Sequence, residues 1–390
     1  MTEPAGTLAV LGLGLFGLLT STVYTGMVAV AAEKFSRNRP RETEPFAIPV
    51  SLLKPLHGAE LNLEAQIESF FQQDCSGYEI LFCARKLEDA GLAVARRVAA
   101  RYPEVPVQFL ASGEPAIPNA KLQSLQWMAE KAHHEVLIIS DSDVRVDRDY
   151  VRSVAAEFCD PQVGAVTCLY RGCAVMGGFW ARIEAAAMSI EMSAGVLVAN
   201  MLEGMKFTLG PTMAVRRSSL EKIGGFLPMG DYCADDFLLG NRVAGLGETV
   251  VLSHHVIDHV VLHETFLASM QHQARWMKST RFSRPKGHFG TALTFSVPFG
   301  VVAAIAAVAA GWPVLAASLL AWSIGSRMLM AAFLGWKVLQ ERPLWRVVLL
   351  YPVRDLMALG FWAASYVSRR ILWRGEWYEL EREGRMRRVG

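Results

Sequence analysis

The stretch "EVLIISDSDVRV" (Glu135–Val146) carries four apolar residues, Val136 to Ile139, straight into Asp141-Ser142-Asp143. Such a run, bounded by polar residues, reads as a strand buried on both faces. Two carboxylates at its carboxyl end stand where open α/β sheets bind their ligands. The same pair suits a turn or a helix N-cap, both of which favour Asp. The rest of the chain has to decide between these readings.

Outward from that strand, short apolar runs alternate with helix-like ones. "IPVSLL" (Ile48–Leu53), "EILFCA" (Glu79–Ala84) and "VQFL" (Val107–Leu110) have strand character. Between them, Leu61–Gln73 places Leu63, Ile67, Phe70 and Phe71 on one helical face. A second helix passes through Val94 and Val98 to Tyr102, and a third covers Lys121–Lys131. The alternation predicts an α/β domain over residues 46–285, a mostly parallel sheet with helices on both faces.

No G-x-x-x-x-G-K-[ST] occurs, and no G-x-G-x-x-G follows the first strand. "GLGLFG" (Gly12–Gly17) has the glycine spacing but lies in an uncharged apolar segment, where small residues serve helix packing. A bound diphosphate would need another holder. Mg2+ or Mn2+ fits, because these ions take oxygen ligands and commonly combine one or two carboxylates with phosphate oxygens. Asp141 and Asp143 are the candidate metal ligands.

Two further stretches favour the site reading. "CADDFLLGNRVAGLG" (Cys233–Gly247) opens an amphipathic helix with Asp235-Asp236, which the macrodipole stabilises and which also supplies a candidate general base. "HQARW" (His272–Trp276) places His272, Arg275 and Trp276 about one helical turn apart, and the arginine could neutralise a leaving diphosphate. "TVVLSHHVIDHVVLH" (Thr249–His263) has four histidines, but its strand-like pattern would scatter them and speaks against zinc.

The 390 residues are 52% hydrophobic and 19% charged with a formal net charge of +2, too apolar for an ordinary soluble protein and with no pull toward nucleic acid. The excess sits at the two ends. Thr7 to Ala32 is uncharged and long enough to span a bilayer, and Lys34, Arg37, Arg39 and Arg41 follow it. That charge asymmetry predicts a retained N-terminal anchor (1–34) with the chain emerging into the cytoplasm. Residues 289–367 predict a membrane hairpin, Phe289–Ala310 and Val314–Trp336 about a Trp312-Pro313 turn. Val347–Val367, interrupted by Pro352, Arg354 and Asp355, would then be a re-entrant or interfacial helix, with a basic cytosolic tail at 368–390. Arg327 inside a span calls for a polar partner or a lipid head group, unless it snorkels. The six cysteines show no C-x-x-C spacing and read as reduced thiols.

"PVSLLKP" (Pro49–Pro55), Asp89, "NAK" (Asn119–Lys121), "SDSD", "GPTMAVRRSSLEKIGGF" (Gly210–Phe226), "ADDF" and "HQARW" follow one another in an order that resembles inverting GT-A glycosyltransferases. The likeness is to the ceramide glucosyltransferase-like family, including bacterial relatives that glycosylate hopanoids, and "WRGEWYEL" (Trp373–Leu380) also resembles the segment that closes such enzymes. It implies a UDP-sugar donor, a divalent cation and a membrane-lipid acceptor of ceramide or hopanoid type. It also implies a cytoplasmic catalytic domain at a bacterial inner membrane. By the same resemblance Asp236 is the catalytic base, and Asp89 faces the uracil-ribose part of the donor. Pro55, Lys121, Asp141, Gly210, His272, Arg275 and Trp276 bind donor and diphosphate, and Asp141 with Asp143 serves the metal. His272 departs from the Gln or Arg that heads this motif in many members, which would make the contact's charge depend on pH.

Three other readings compete. A processive polysaccharide synthase shares the carboxylates and x-x-R-W but needs more spans for a polymer channel. A transporter needs more spans still, and a lipid-binding scaffold has no need of Asp141, Asp143, Asp236 and Arg275 together.

Overall fold

The computed structural model describes residues 5–38, 48–175, 177–263, 265–373 and 376–389. Arg39 and Arg41, and Arg374 with Gly375 of the "WRGEWYEL" stretch, lie outside them. The chain forms two units, each discontinuous in sequence. One takes Met1–Asn38, Met176–Leu202 and His263–Leu372; the other takes Arg39–Val175, Glu203–Leu262 and Trp373–Gly390. Residues 177–202 and the "HQARW" helix therefore group with the terminal helices. Residues from Trp373 onward group with the sheet.

The sheet unit is built on strands β1 (Val50–Pro55), β2 (Tyr78–Ala84), β3 (Val107–Ala111), β4 (Val136–Ile139), β5 (Val144–Arg145), β6 (Val163–Cys173), β7 (Met213–Arg216) and β8 (Thr249–Val260). Their order is β3-β2-β1-β4-β7-β6-β8-β5. β3, β2, β1 and β4 are mutually parallel, as are β6 and β8, whereas β7 runs antiparallel to both β4 and β6. Leu52, Leu53, Ile80, Leu81, Ile138 and Ile139 are fully buried, as central strands covered on both faces require. A row of rings lines one side: Phe71 stacks on Phe82 and on Tyr102, and Phe82 on Phe109, with centroids 5.3–6.2 Å apart.

That topology delivers the site. β1 and β4 are parallel neighbours, so the end of β1 at Lys54-Pro55 lies beside Ser140-Asp141. β7 is antiparallel to β4 with Met213 opposite Ile139, so the residues leading into β7, Gly210 among them, arrive at the same edge. β5 pairs Val144 with His259 of β8 and brings Asp143 there too.

Among the described residues, Ala5–Arg37, Phe179–Glu203, Pro313–Leu339 and Leu344–Ala364 are four helices long and apolar enough to cross a membrane. The first leg of the expected hairpin is bent by 47° between Pro285–Thr294 and Val297–Ala309. Leu344–Ala364, where the sequence suggests a re-entrant or interfacial helix, is one unbroken helix with Pro352 inside it. Of the "GLGLFG" glycines, two make close approaches: a Cβ on Gly14 would lie 2.7 Å from the Ala303 Cβ, and one on Gly17 would lie 2.1 Å from the Phe299 ring. Arg327 is 1% exposed. It donates to Ser21 O (3.0 Å), Thr25 Oγ1 (2.6 Å) and Thr294 O (3.1 Å), with Asp355 Oδ1 at 3.7 Å. Its partners are protein groups, which removes both the lipid-head and the snorkelling alternatives.

Candidate active site

Asp141 follows β4 after Ser140 and is partly buried. Its Oδ1 lies 2.7 Å from Lys121 Nζ, which also reaches Asp235 Oδ2 at 3.4 Å. Burial alone would lower the Lys121 ammonium, but Asp141 and Asp235 hold it well above its usual value, so it stays charged. Lys121 sits on the second residue of the helix Ala120–Lys131, one end of which is tied down by Asn119 N donating to Gly230 O at 2.9 Å.

Asp235 and Asp236 open the helix Asp235–Gly245. Asp236 Oδ2 accepts from Gly210 N and Oδ1 from Phe237 N, both at 2.8 Å. Its backbone carbonyl accepts from Thr208 Oγ1 at 2.7 Å, and a Cβ on Gly240 would lie 2.4 Å from the Phe207 carbonyl carbon. The absent side chain at Gly240 thus lets the 207–210 segment lie against the helix. Burial pushes the Asp236 carboxyl up to about 6, and the neighbouring Asp235 charge adds to the rise. The Phe237 and Gly210 N–H groups and the Lys121 charge offset part of it.

Gly210 occupies the space between the two key carboxylates. A Cβ there would sit 3.4 Å from Asp236 Oδ2 and 3.5 Å from Asp141 Oδ2. Asp143 faces His259 Nε2 at 3.1 Å, and its carbonyl accepts from Val260 N at 2.8 Å. The partly buried carboxylates of Asp141, beside this glycine, and of Asp143, facing His259, are hard oxygen donors of the kind that Mg2+ or Mn2+ takes.

The other expected residues stand on separate elements. Asp89 is the N-cap of the helix Ala90–Ala99: Oδ1 accepts from Gly91 N (2.7 Å) and from Gly58 N (3.0 Å), and Oδ2 from Gly58 N (3.1 Å). Its carboxylate clasps the loop after β1. Pro55 ends β1 opposite Cys83. His272, Arg275 and Trp276 lie on the helix Phe266–Ser283 of the helical unit. There His272 Nδ1 meets Glu184 Oε1 at 2.7 Å, and its ring lies 4.5 Å from that of Trp276. Burial pushes His272 down to about 4, with the Arg275 charge also lowering it and Glu184 opposing, so this imidazole is neutral at physiological pH. A change of its charge with pH is thereby moved below the range that its ordinary value suggests.

Sequence reasoning missed Lys54, although it stands inside "PVSLLKP". It is fully buried, lies 3.7 Å over the Phe70 ring and donates to Asp141 O at 2.7 Å. Burial pushes its ammonium down to about 7 against the pull of Asp141, Asp143 and Glu60. The signal that could have found it is a lone charge in an otherwise apolar strand. The carboxyl tail was also missed as part of the site's frame. Cys233 N donates to Gly384 O (3.1 Å) and Met386 N to Asp231 O (2.7 Å), pinning the loop that leads into Asp235-Asp236.

Ceramide glucosyltransferase 1 of Caenorhabditis elegans is 27% identical over 237 residues, 61% of this chain and 51% of the relative. Ceramide glucosyltransferase 3 of the same organism is 25% identical over 253 residues, 65% of this chain and 55% of the relative. The chain thus spans about half the length of these curated relatives. Among solved structures, the mannosyltransferase PcManGT from Pyrobaculum calidifontis, in complex with GDP-Man and Mn2+, is similar with a TM-score of 0.53 at 18% identity. The match covers 91% of this chain and 98% of that one. It is a likeness of fold, and with it the GT-A architecture expected from the sequence stands. The model of glycosyl transferase family 21 matches residues 14–386, and the chain belongs to that family.

Proposed function

We propose that this chain is a membrane-bound inverting glycosyltransferase that moves a hexose from a UDP-sugar to a hydroxyl of a membrane lipid. The observation that carries the reading is the pair of carboxylates on either side of Gly210. Asp236 has its oxygens held by two backbone N–H groups and its carboxyl raised to about 6, and Asp141 is neutralised by Lys121. A raised carboxyl is a better proton acceptor near neutral pH while remaining largely ionised there.

In the proposed reaction one Asp236 oxygen accepts the proton of the acceptor hydroxyl as that oxygen bonds to the anomeric carbon. The bond from that carbon to the UDP oxygen breaks, the electron pair leaves with UDP, and the configuration inverts. Asp141 and Asp143 would hold a divalent cation, which when bound would offset the negative charge gathering on the diphosphate. Lys121 holds Asp141 in place, and Lys54 fixes the backbone beneath it. Asp89, through its clasp on the loop after β1, is proposed to shape the nucleoside side. Arg275 with Trp276 is proposed to meet the leaving diphosphate, and His272, whose Nδ1 is taken up by Glu184, to steady that helix. The two curated relatives named above are ceramide glucosyltransferases, which supports a lipid acceptor. The four apolar helices, with Lys34 and Arg37 at the end of the first, support a bilayer location and a cytoplasmic catalytic face.

The test is to incubate membranes holding the chain with labelled UDP-glucose, UDP-galactose and UDP-N-acetylglucosamine and to identify the product by mass. The expected product is a lipid bearing one added hexose. Long polymer would contradict the lipid reading, and hydrolysis without a glycolipid would contradict transfer.

A further inference from the structure

The helical unit holds a second polar centre, chemically unlike the first. Glu184, on the helix Phe179–Ala186, is 1% exposed. His272 Nδ1 and His263 Nδ1 both meet its Oε1, at 2.7 and 3.1 Å. One potential ligand atom from each of the three residues lies within 4.8 Å of the other two. The two imidazole rings stack with centroids 4.1 Å apart, so both present the same edge to one carboxylate.

A second layer fixes that carboxylate. Ser269 Oγ donates to Glu184 Oε2 at 2.5 Å, and Gln273 Nε2 donates to Ser269 Oγ at 3.0 Å. Ser269, His272 and Gln273 share one face of the helix Phe266–Ser283, at spacings of three and four residues. Ser269 and Gln273 are buried, whereas the His263 side chain is 31% exposed and leaves an approach from outside. Metal sites have this layout: ligands converging from separate segments, an outer hydrogen bond orienting a ligand, and an entry path.

We propose that Glu184, His263 and His272 bind a zinc-class dication through one carboxylate oxygen and two imidazole Nδ1 atoms. Two nitrogen donors with one oxygen select a borderline ion such as Zn2+, where the all-oxygen set of Asp141 and Asp143 selects Mg2+ or Mn2+. The ion would brace the helix Phe179–Ala186 to the one that carries Arg275 and Trp276. It would replace the two imidazole protons that otherwise face Glu184 Oε1.

The full-length chain, purified in detergent, is loaded with Zn2+, dialysed and measured for metal by mass spectrometry. The expected result is close to one zinc per chain. Doubly substituted Asp141→Asn, Asp143→Asn protein should retain it, and His263→Gln and Glu184→Gln should lose it. Ser269→Ala, which removes only the orienting hydroxyl, should weaken zinc binding by roughly 10-fold or more. Loading with Co2+ should give the visible bands of a tetrahedral site in the wild type and not in His263→Gln. Should a ligand variant fold poorly, the wild type alone decides: a chelator then lowers its melting temperature and added Zn2+ restores it. Failure of wild-type protein to retain zinc after loading, or equal zinc in wild type and a folded His263→Gln, would overturn the site. The triad would then be a hydrogen-bonded brace only.

Discussion

The centre around Asp236 and the centre around Glu184 each gather carboxylate at the start or along the side of a helix, yet their surroundings differ in kind. Asp141 and Asp235 share the ammonium of Lys121, and backbone N–H groups of Gly210 and Phe237 hold Asp236. Glu184 instead meets two imidazoles and a serine hydroxyl. The first arrangement has a cation, a glycine-sized opening and a carboxyl raised to about 6, all suited to proton and phosphate chemistry. The second has nitrogen donors around one buried oxygen and suits a bound ion or a fixed brace. A carboxylate's role is set by its neighbours, not by its own chemistry.

The effect that separates the two centres most clearly is expected at Asp141. Asp141→Asn should lower turnover by roughly 10²–10³-fold, the range found when one preorganised charge-stabilising group is removed. It should leave zinc content unchanged. A parallel loss of zinc would merge the two centres and break the comparison.

Gly210→Ala comes next. Its Cβ would meet Asp236 Oδ2 and Asp141 Oδ2 at ordinary contact distances of 3.4 and 3.5 Å, so the fold should persist. The opening between the carboxylates would nonetheless be filled, and turnover should fall by about tenfold through misplaced reactants. Steady-state rates beside a melting curve check both halves of that expectation.

The smallest effect is a shift along the pH axis. The base works as a carboxylate, so activity should rise with pH through about 6, where Asp236 ionises. Asp235→Asn removes a negative neighbour that raises the Asp236 carboxyl. The folded value should fall, and the acidic limb of the rate profile should move to lower pH. An acidic limb that stays where it was would place the titration elsewhere.

Much of the sheet was legible because strands buried on both faces leave unbroken apolar runs. Val136–Ile139 has the limits in the structure that it has in the sequence, and the first three strands differ by a residue or two at their ends. β6 and β7 were not read: "VGAVTCLYRGC" and "MAVR" carry weak signals of their own and owe their place to sheet neighbours, β8 parallel to β6 and β4 antiparallel to β7. Asp141, Lys121 and Gly210 could be named from motif order, but the lysine bridge to Asp235 depends on a contact between residues 114 positions apart. The histidines show the same limit. His254, His255 and His259 do lie on a strand, β8, as the pattern suggested. His263 falls beyond its end, and its partner Glu184 stands 79 residues earlier. Nothing local in "VVLH" announces that meeting.

The most direct test of the proposed mechanism is single-turnover transfer by Asp236→Asn, with donor affinity measured separately on the same protein. Asparagine keeps the size and hydrogen-bonding shape of the side chain but cannot take up the acceptor's proton. The account predicts donor binding close to wild type and transfer slowed by roughly 10²–10⁴-fold, the range for loss of a general base. Transfer at near wild-type rate by a folded, donor-binding Asp236→Asn would contradict it.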